Sequence, residues 1–381
     1  MRRLAQAGRP CCPERMAGIR EVEDGDFEAV VRLVSGQGWG APTERDWRWL
    51  WKENPALERI AIPRGWVLVE GGAVVGFLGN IAQEYQLGDQ RLTAAVTSGL
   101  VVAPASRGSS LQLLLAHARQ RNVDLLLNTT AAPHVSKISQ FLKFQRIPQP
   151  AYDRTLYWVL RARPFARAAL RKKGYRDVVD RWCGPVLSAL IRAEGVLRRR
   201  GPRRLPSRAE FRTIGAGSVG PEFDALWQRR LAEHPRLLAV RDARTLRWHF
   251  DDRGRPHPPF FVCASAGSQL LGYVAVVRQD ATHLGLARAR VADVFVEHDD
   301  PEIIRQLLHQ SAEHARRTGA AMLEVIGLPQ PVRRVIEALR PFELLDEECP
   351  FLYKAVDPAL QERLADESIW YAGLFDGDGS V

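Results

Sequence analysis
A chain of 381 residues exceeds one ordinary core and suits two, because single domains usually hold roughly 100–200 residues. With 46% apolar and 26% charged residues, wholesale disorder is excluded, and the longest uncharged apolar stretch near the middle, Trp182 to Ile191, is far short of the roughly 20 residues of a membrane-spanning helix. The net charge of +10 is concentrated: between Arg161 and Arg208 fifteen Lys or Arg stand against three acids, which leaves the rest nearly neutral and argues against a protein that coats nucleic acid over a folded face.

The first 17 residues carry Arg2, Arg3, Arg9 and Arg15 but no apolar run of signal-peptide length, so they read as a disordered extension and the protein as cytoplasmic. From Ile19 to Val34 apolar residues recur at helical spacing, with Asp24 and Asp26 available as caps. The run Asp46 to Trp51 is rich in tryptophan and stops at Asn54-Pro55. Trp39, Trp47, Trp49 and Trp51 line either an acceptor cleft or, as aromatic residues at this density usually do, a core. Gly36 to Gly40 has no strand before it and reads as a flexible loop. Trp66 to Glu70 and Ala73 to Gly79 flank Gly71-Gly72 as a hairpin. A strand from Arg91 to Val102 then runs through Pro104 to Ser110 into a helix from Leu111 to Arg119. Strand Val123 to Asn128, helix Val135 to Leu142 and a last strand near Leu156 to Leu160 close the first lobe.

Residues 161–207 form a basic connector in which Ala168 to Val179 and Val186 to Leu197 have the spacing of amphipathic helices. This pattern suits an anionic membrane surface or an acidic partner, and equally a solvated linker packing its apolar stripe across two lobes. From residue 208 to 357 the order of elements returns. Trp248 follows Trp49, Gly272 follows Gly76, Val296 follows Val102 and Phe342 follows Phe144, all at spacings between 194 and 199 residues. Two tandem mixed α/β lobes, 18–160 and 208–357, are therefore expected, with a tail at 358–381. In that tail Asp376-Gly377-Asp378-Gly379 lacks the length of a calcium loop and reads as a frayed end. Five cysteines, Cys11, Cys12, Cys183, Cys263 and Cys349, and nine histidines show no metal-ligand spacing, so no metal is expected.

A strand that turns through a short Gly and Ser loop into a helix leaves backbone N–H groups open at the positive end of the helix dipole. No acid occurs between Arg91 and Asp124, so an anion at Ala105 to Ser110 would meet only amides, hydroxyls and Arg107. The matching second-lobe loop, Glu297 to Glu302, carries four acids and no glycine and should repel a phosphorylated ligand. Asp293, on an apolar strand, either serves an acceptor pocket between lobes or forms a salt bridge with Arg288 or Arg290.

Val101 to Leu111, followed by a strand, a helix and Phe144, resembles the GCN5-related N-acetyltransferases, or GNAT superfamily. That family's acyl-coenzyme A loop runs Gln or Arg, two residues, Gly, one residue, Gly or Ala. Here Ala105 stands at the first position, Gly108 at the central glycine and Ser110 at the last, while the tyrosine that often protonates the departing thiolate falls near Ser139. The resemblance implies an α/β fold of two GNAT-like lobes, each a mostly antiparallel mixed sheet flanked by helices, and an acyl-coenzyme A dependent N-acyltransferase working in the first lobe. Acetyl-CoA or another acyl-CoA would lie on Leu100, Val101 and Val102, with its diphosphate on Arg107, Gly108, Ser109 and Ser110. Asn128 would face the same cleft, Glu84 would be the nearby acid, and Ser98 would position a water for deprotonating the amine of a small molecule, glycan or peptide. The tandem architecture also looks like the Fem-type aminoacyl transferases, whose charged tRNA would suit the basic connector; nucleic acid is otherwise not expected. A third reading is a non-catalytic GNAT-like binding protein.

Overall fold
The computed structural model describes residues 18–37, 40–175, 177–198, 200–202, 209–344 and 350–380. The proposed N-terminal extension, Gly38, Trp39, Cys11, Cys12 and Cys349 lie outside these residues. The first half contains β1 (Gly18–Glu21), α1 (Phe27–Gly36), α2 (Glu44–Trp51), β2 (Gly65–Glu70), β3 (Ala73–Leu87), β4 (Gln90–Val102), α3 (Ser110–Ala118), β5 (Leu125–Asn128), α4 (Pro133–Phe141), β6 (Gln145–Arg146) and β7 (Thr155–Val159). Two connector helices follow, α5 (Ala162–Lys172) and α6 (Asp177–Leu197). The second half contains β8 (Glu210–Gly215), α7 (Pro221–Glu233), β9 (Leu237–Ala239), α8 (Ala243–His249), β10 (Phe260–Ala266), β11 (Gln269–Arg278), β12 (Arg288–Val296), α9 (Pro301–Arg317), β13 (Met322–Val325), α10 (Gln330–Ala338), β14 (Phe342–Leu344), β15 (Leu352–Ala355) and α11 (Pro358–Arg363).

The helix expected from Ile19 starts later. Ile19 to Glu21 pair with β2 as an edge strand, and Asp26, which accepts from the Glu23 amide and pairs with Arg20, ends that strand before α1 begins. Thr43 and Asp46 form a reciprocal capping box at α2, which turns Trp47, Trp49 and Trp51 inward, so these three tryptophans are core. Trp47 and Trp51 pack edge to face, and Trp51 Nε1 donates to the carbonyl of Asn80 on β3 at 3.0 Å.

Two sheets result, ordered β1-β2-β3-β4-β5-β15-β6, with β9 added along β3, and β14-β7-β13-β12-β11-β10-β8. Strands joined by tight turns pair antiparallel. Among the described strands, β4 with β5 and β12 with β13 run parallel, because α3 and α9 cross over between them. The two element orders match, and the last four elements keep one spacing. Met322 of β13, Gln330 of α10, Phe342 of β14 and Leu352 of β15 each open an element 197 residues after Leu125, Pro133, Gln145 and Thr155.

The lobes also differ from the sequence expectation in how they close: each donates its final strand to the other. β7, expected to close the first lobe, pairs with β13 and β14 in the second sheet, and β15 pairs with β5 and β6 in the first. The halves also meet at a reciprocal contact. Trp49 Nε1 donates to the carbonyl of Trp248 at 2.7 Å, Trp248 Nε1 donates to that of Trp49 at 2.9 Å, and the rings stack at 4.9 Å. Arg253 lies over the Trp49 ring at 3.6 Å. One apolar cluster consequently runs from Ile81 and Tyr85 of the first sheet to Phe295 of the second and Phe375 of the tail. Among the described residues, no helix is long and apolar enough to cross a membrane.

Candidate functional site
β4 pairs with β5 only from Ala94 to Val96; beyond Val96 the two strands part. The cause is local. The pairing of β3 with β4 slips between Phe77 and Gly79, opposite Gly99, whose φ of +64° is open to glycine at little cost. Such a bulge bends its strand and re-aims the residues after it. The parted strands enclose a cavity of about 900 Å³ that reaches from Leu100, Val101 and Val102 on β4, past Arg107 and Ser110 at the start of α3, to Asn128, Thr130 and the first turn of α4.

Ser98, Asn128, Leu100, Val101, Val102, Arg107 and Ser110 thus come together as expected, whereas Gly108 and Ser109 stand on the adjoining loop outside the lining. Glu84 does not join them. It lies opposite Thr93 on β3, nearly buried, and its carboxylate is held by Arg91 Nε at 2.8 Å and approached by Arg59 at 3.8 Å. The sequence shows a lone acid because its arginines come from a neighbouring strand and a distant loop.

The loop is also tighter than expected. Pro104–Ser109 coils as a 3-10 helix, so the Ser106 amide bonds to Ala103 O and the Ser110 amide to Arg107 O. These amides are not open for an anion in this conformation. Arg107 and Ser110, where the nine-residue α3 begins, line the cavity there.

Three lining side chains ionise: Arg107, His134 at the start of α4, and Asp378. Asp378 comes from the tail read as frayed. It accepts hydrogen bonds from Thr129 Oγ1 at 2.8 Å and Thr130 Oγ1 at 2.9 Å. Burial raises its pKa above the ordinary aspartate value, against the hydroxyls of Thr129, Thr130 and Ser98, which favour the charged form. Asn128 donates to Ser139 Oγ at 3.3 Å, and Ser139, near which the resemblance would put a tyrosine, is a buried hydroxyl.

The tail reaches the first lobe by way of the second. β12 and β13 pair from Arg288 to Val291 and then part in the same manner. That cleft is filled by the chain itself: the Phe375 amide donates to Ala292 O at 2.9 Å, the Leu328 amide to Ala372 O at 2.8 Å, and Tyr371 Oη to Val294 O. Asp376 is anchored beside them by Arg241, which also holds Asp293 at 2.9 Å; burial pushes the Asp376 carboxyl up to about 6 despite that guanidinium. Asp293 therefore has an arginine partner, but Arg241 in place of Arg288 or Arg290, which both bind Glu324. Two of the four acids of the acidic loop are paired internally as well, Glu297 by Arg229 and Asp299 by Arg230 and Arg236. Two acids two residues apart thus serve different lobes, and no local pattern announces it, since Thr129 and Asp378 are 249 positions apart.

Among the described residues, no group of three or more His, Cys, Asp or Glu is placed to hold a metal. No family model matches the sequence, and no curated protein matches it. In three dimensions the chain is similar to a GCN5-related N-acetyltransferase from Anabaena variabilis, with a TM-score of 0.53 and 9% identity over 90% of this chain and 73% of that one. A GCN5-related N-acetyltransferase from Kribbella flavida gives 0.53 and 12% over 89% and 71%. Eis1 from Mycobacterium abscessus gives 0.52 and 14% over 92% and 76%.

Proposed function
Because the chain carries the GNAT fold in two lobes, we propose that it is an acyl-coenzyme A dependent N-acyltransferase working through the first lobe. The observation that carries this reading is the asymmetry of the two clefts: the one between β4 and β5 is open and lined by Arg107, Ser98, Asn128 and Asp378, and the one between β12 and β13 is filled by residues 371–375. The second lobe then acts as scaffold.

The donor fits the open cleft on charge and shape. Arg107 and Ser110 would hold its diphosphate, and the edge of β4 at Leu100, Val101 and Val102, left by β5, would offer backbone groups to the amides of its arm. With Arg107 taken as the basic residue of the family loop, Ser110 falls three positions on, where the central glycine belongs. This register places both residues in the cavity lining, whereas the one beginning at Ala105 does not. Glycine at 110 is not needed where the 3-10 turn already brings the backbone round. The bound donor supplies an acyl thioester. Asp378, or a water held between it and Ser98, takes the proton of the acceptor amine, and His134 returns one to the leaving sulfur, the duty Ser139 cannot perform. The acceptor is an amine of a small molecule, glycan or peptide.

One observation favours the non-catalytic alternative, namely the amides of Ser106 and Ser110 already bonded within the loop. Titration calorimetry with acetyl-CoA separates the readings. The proposal expects saturable binding that Arg107→Glu weakens at least tenfold, together with thiol release when amines are supplied. Absence of binding, or binding indifferent to that charge reversal, removes it, and tight binding without thiol release for any amine leaves the binding protein.

A further inference from the structure
The connector helix α6 packs against α5, with Gly184 and Ser188 buried and Leu187, Ile191 and Gly195 half-buried. Its other side is apolar too. Val186, Ala189, Leu190, Ala193, Val196 and Leu197 are all exposed, the four larger ones by 61–82%. At 3.6 residues per turn these six fall within about 120° of the helix circumference, which makes them one face. Four of the eight large apolar side chains exposed among the described residues therefore stand within the span 186–197. The face begins just after Pro185, on the unbroken remainder of the helix. Arg192 and Glu194 fall outside it, and Glu194 is paired with Arg200 at 3.0 Å.

A helix that is apolar on both sides belongs in an interior or against another surface. A linker packing its stripe across the lobes would have covered this face, whereas α6 turns it outward. Side chains of this size so exposed make a patch of roughly 400–500 Å², the upper end of what a monomer ordinarily shows. Two observations favour a second copy of the chain as its cover. A helix lying in a membrane interface carries Leu, Phe or Trp on one side and Lys or Arg on the other. Here Ala189 and Ala193 stand at the middle of the face, and the opposite side is occupied by α5. Small residues one turn apart let a second helix axis approach closely. The face is also complementary to itself. When two copies cross antiparallel at the level of Ile191, Ala189 meets Ala193 of the partner subunit and Val186 meets Val196 of the partner subunit. Each contact then occurs twice, as an isologous interface requires. Burying both faces removes on the order of 1,000 Å² from water, the lower bound of a specific interface, which suits a reversible association.

We propose that the exposed face of α6 pairs with the same face of a second copy of this chain, antiparallel, in a reversible homodimer. No residue of α6 lines the open cleft of the first lobe, so the pairing is independent of the acyl-transfer reading.

Sedimentation equilibrium of the full chain, from micromolar to submillimolar concentration, tests it. A monomer–dimer equilibrium is expected. Ala193→Glu puts an unpaired charge at the middle of the buried face and should weaken association at least tenfold, with circular dichroism unchanged. Phe141→Glu removes an exposed ring from a different helix and should leave the equilibrium as it is. Ala189→Lys mixed with Ala193→Glu should associate more tightly than either variant alone, because position 189 of one copy meets position 193 of the other. A mixture no tighter than its components overturns the antiparallel pairing. A chain monomeric at every concentration, or a dimer indifferent to Ala193→Glu, overturns the proposal. A monomer that floats with phosphatidylcholine–phosphatidylserine vesicles, and ceases to in Ala193→Glu, overturns it in favour of a lipid surface.

Discussion

Asp376 and Asp378 sit two positions apart, and their surroundings divide them. Asp376 is sealed against Arg241 and structural in its contacts; Asp378 is held by the hydroxyls of Thr129 and Thr130 and lines the cavity. A carboxyl with a raised pKa keeps its proton to higher pH than a free aspartate, so as a base it is available only above that raised value. The rate should therefore fall on acidification while the medium is still above the ordinary aspartate range. Asp378→Asn preserves the size and can still bond to Thr129 and Thr130, yet cannot accept the proton. It is expected to lower kcat by about 10²–10⁴-fold, abolish that acid limb and leave acetyl-CoA affinity within about twofold. An unaltered pH profile in the variant would assign the proton transfer elsewhere. Ser98, Asn128 and Arg107 were legible in the sequence because strand, loop and helix are contiguous there. Asp378 was not, because its relation to Thr129 exists only through the fold, and Glu84 misled because an ion pair and a catalytic acid look alike until the partners are placed.

At the scale of elements, the periodic segments were legible, with α3 within one residue of its expected span and the first hairpin found at Gly71-Gly72, since these patterns depend on neighbours a few residues away. The exchange of β7 and β15 was not. An alternating run such as Thr155 to Val159 fits any free sheet edge, and which edge it takes is settled by the course of the connector. The segment from Trp370 to Asp376 was likewise unreadable, because it is neither helix nor strand and gains its order by filling a cleft made of other elements. Its largest buried side chain at the end nearest the site is Phe375, wholly buried and stacked on Phe250 with ring centroids 5.8 Å apart. Phe375→Ala should cost about 3–5 kcal/mol in urea unfolding. Because Phe375 also fixes the approach of Asp378, kcat should drop more than stability alone explains under conditions where the variant remains folded, with little change in donor affinity. If turnover by the folded variant matched the parent, the plug would be support for the second lobe and nothing more.

For the whole molecule, reciprocal strand exchange means that neither half contains the whole of its own sheet. A fragment ending at residue 202 keeps β7 without β13 to receive it, and leaves the β5 edge that β15 covers bare of partner hydrogen bonds over Leu125 to Asn128, where every residue is buried. Unpaired backbone groups in such a place are costly to leave dry, and exposing them invites association. The shared apolar cluster and the paired tryptophans tie the halves further. Two lobes of this kind should therefore melt as one unit, although their separate sheets and separate clefts suggest two domains. Scanning calorimetry is expected to give a single transition whose calorimetric and van't Hoff enthalpies agree. Residues 18–202 expressed alone should lack near-ultraviolet dichroism and aggregate, while co-expression with 203–380 should restore a soluble one-to-one complex with the donor-binding cleft intact. Two resolved transitions, or a monomeric first half that binds acetyl-CoA by itself, would mean that the exchanged strands decorate the lobes rather than complete them.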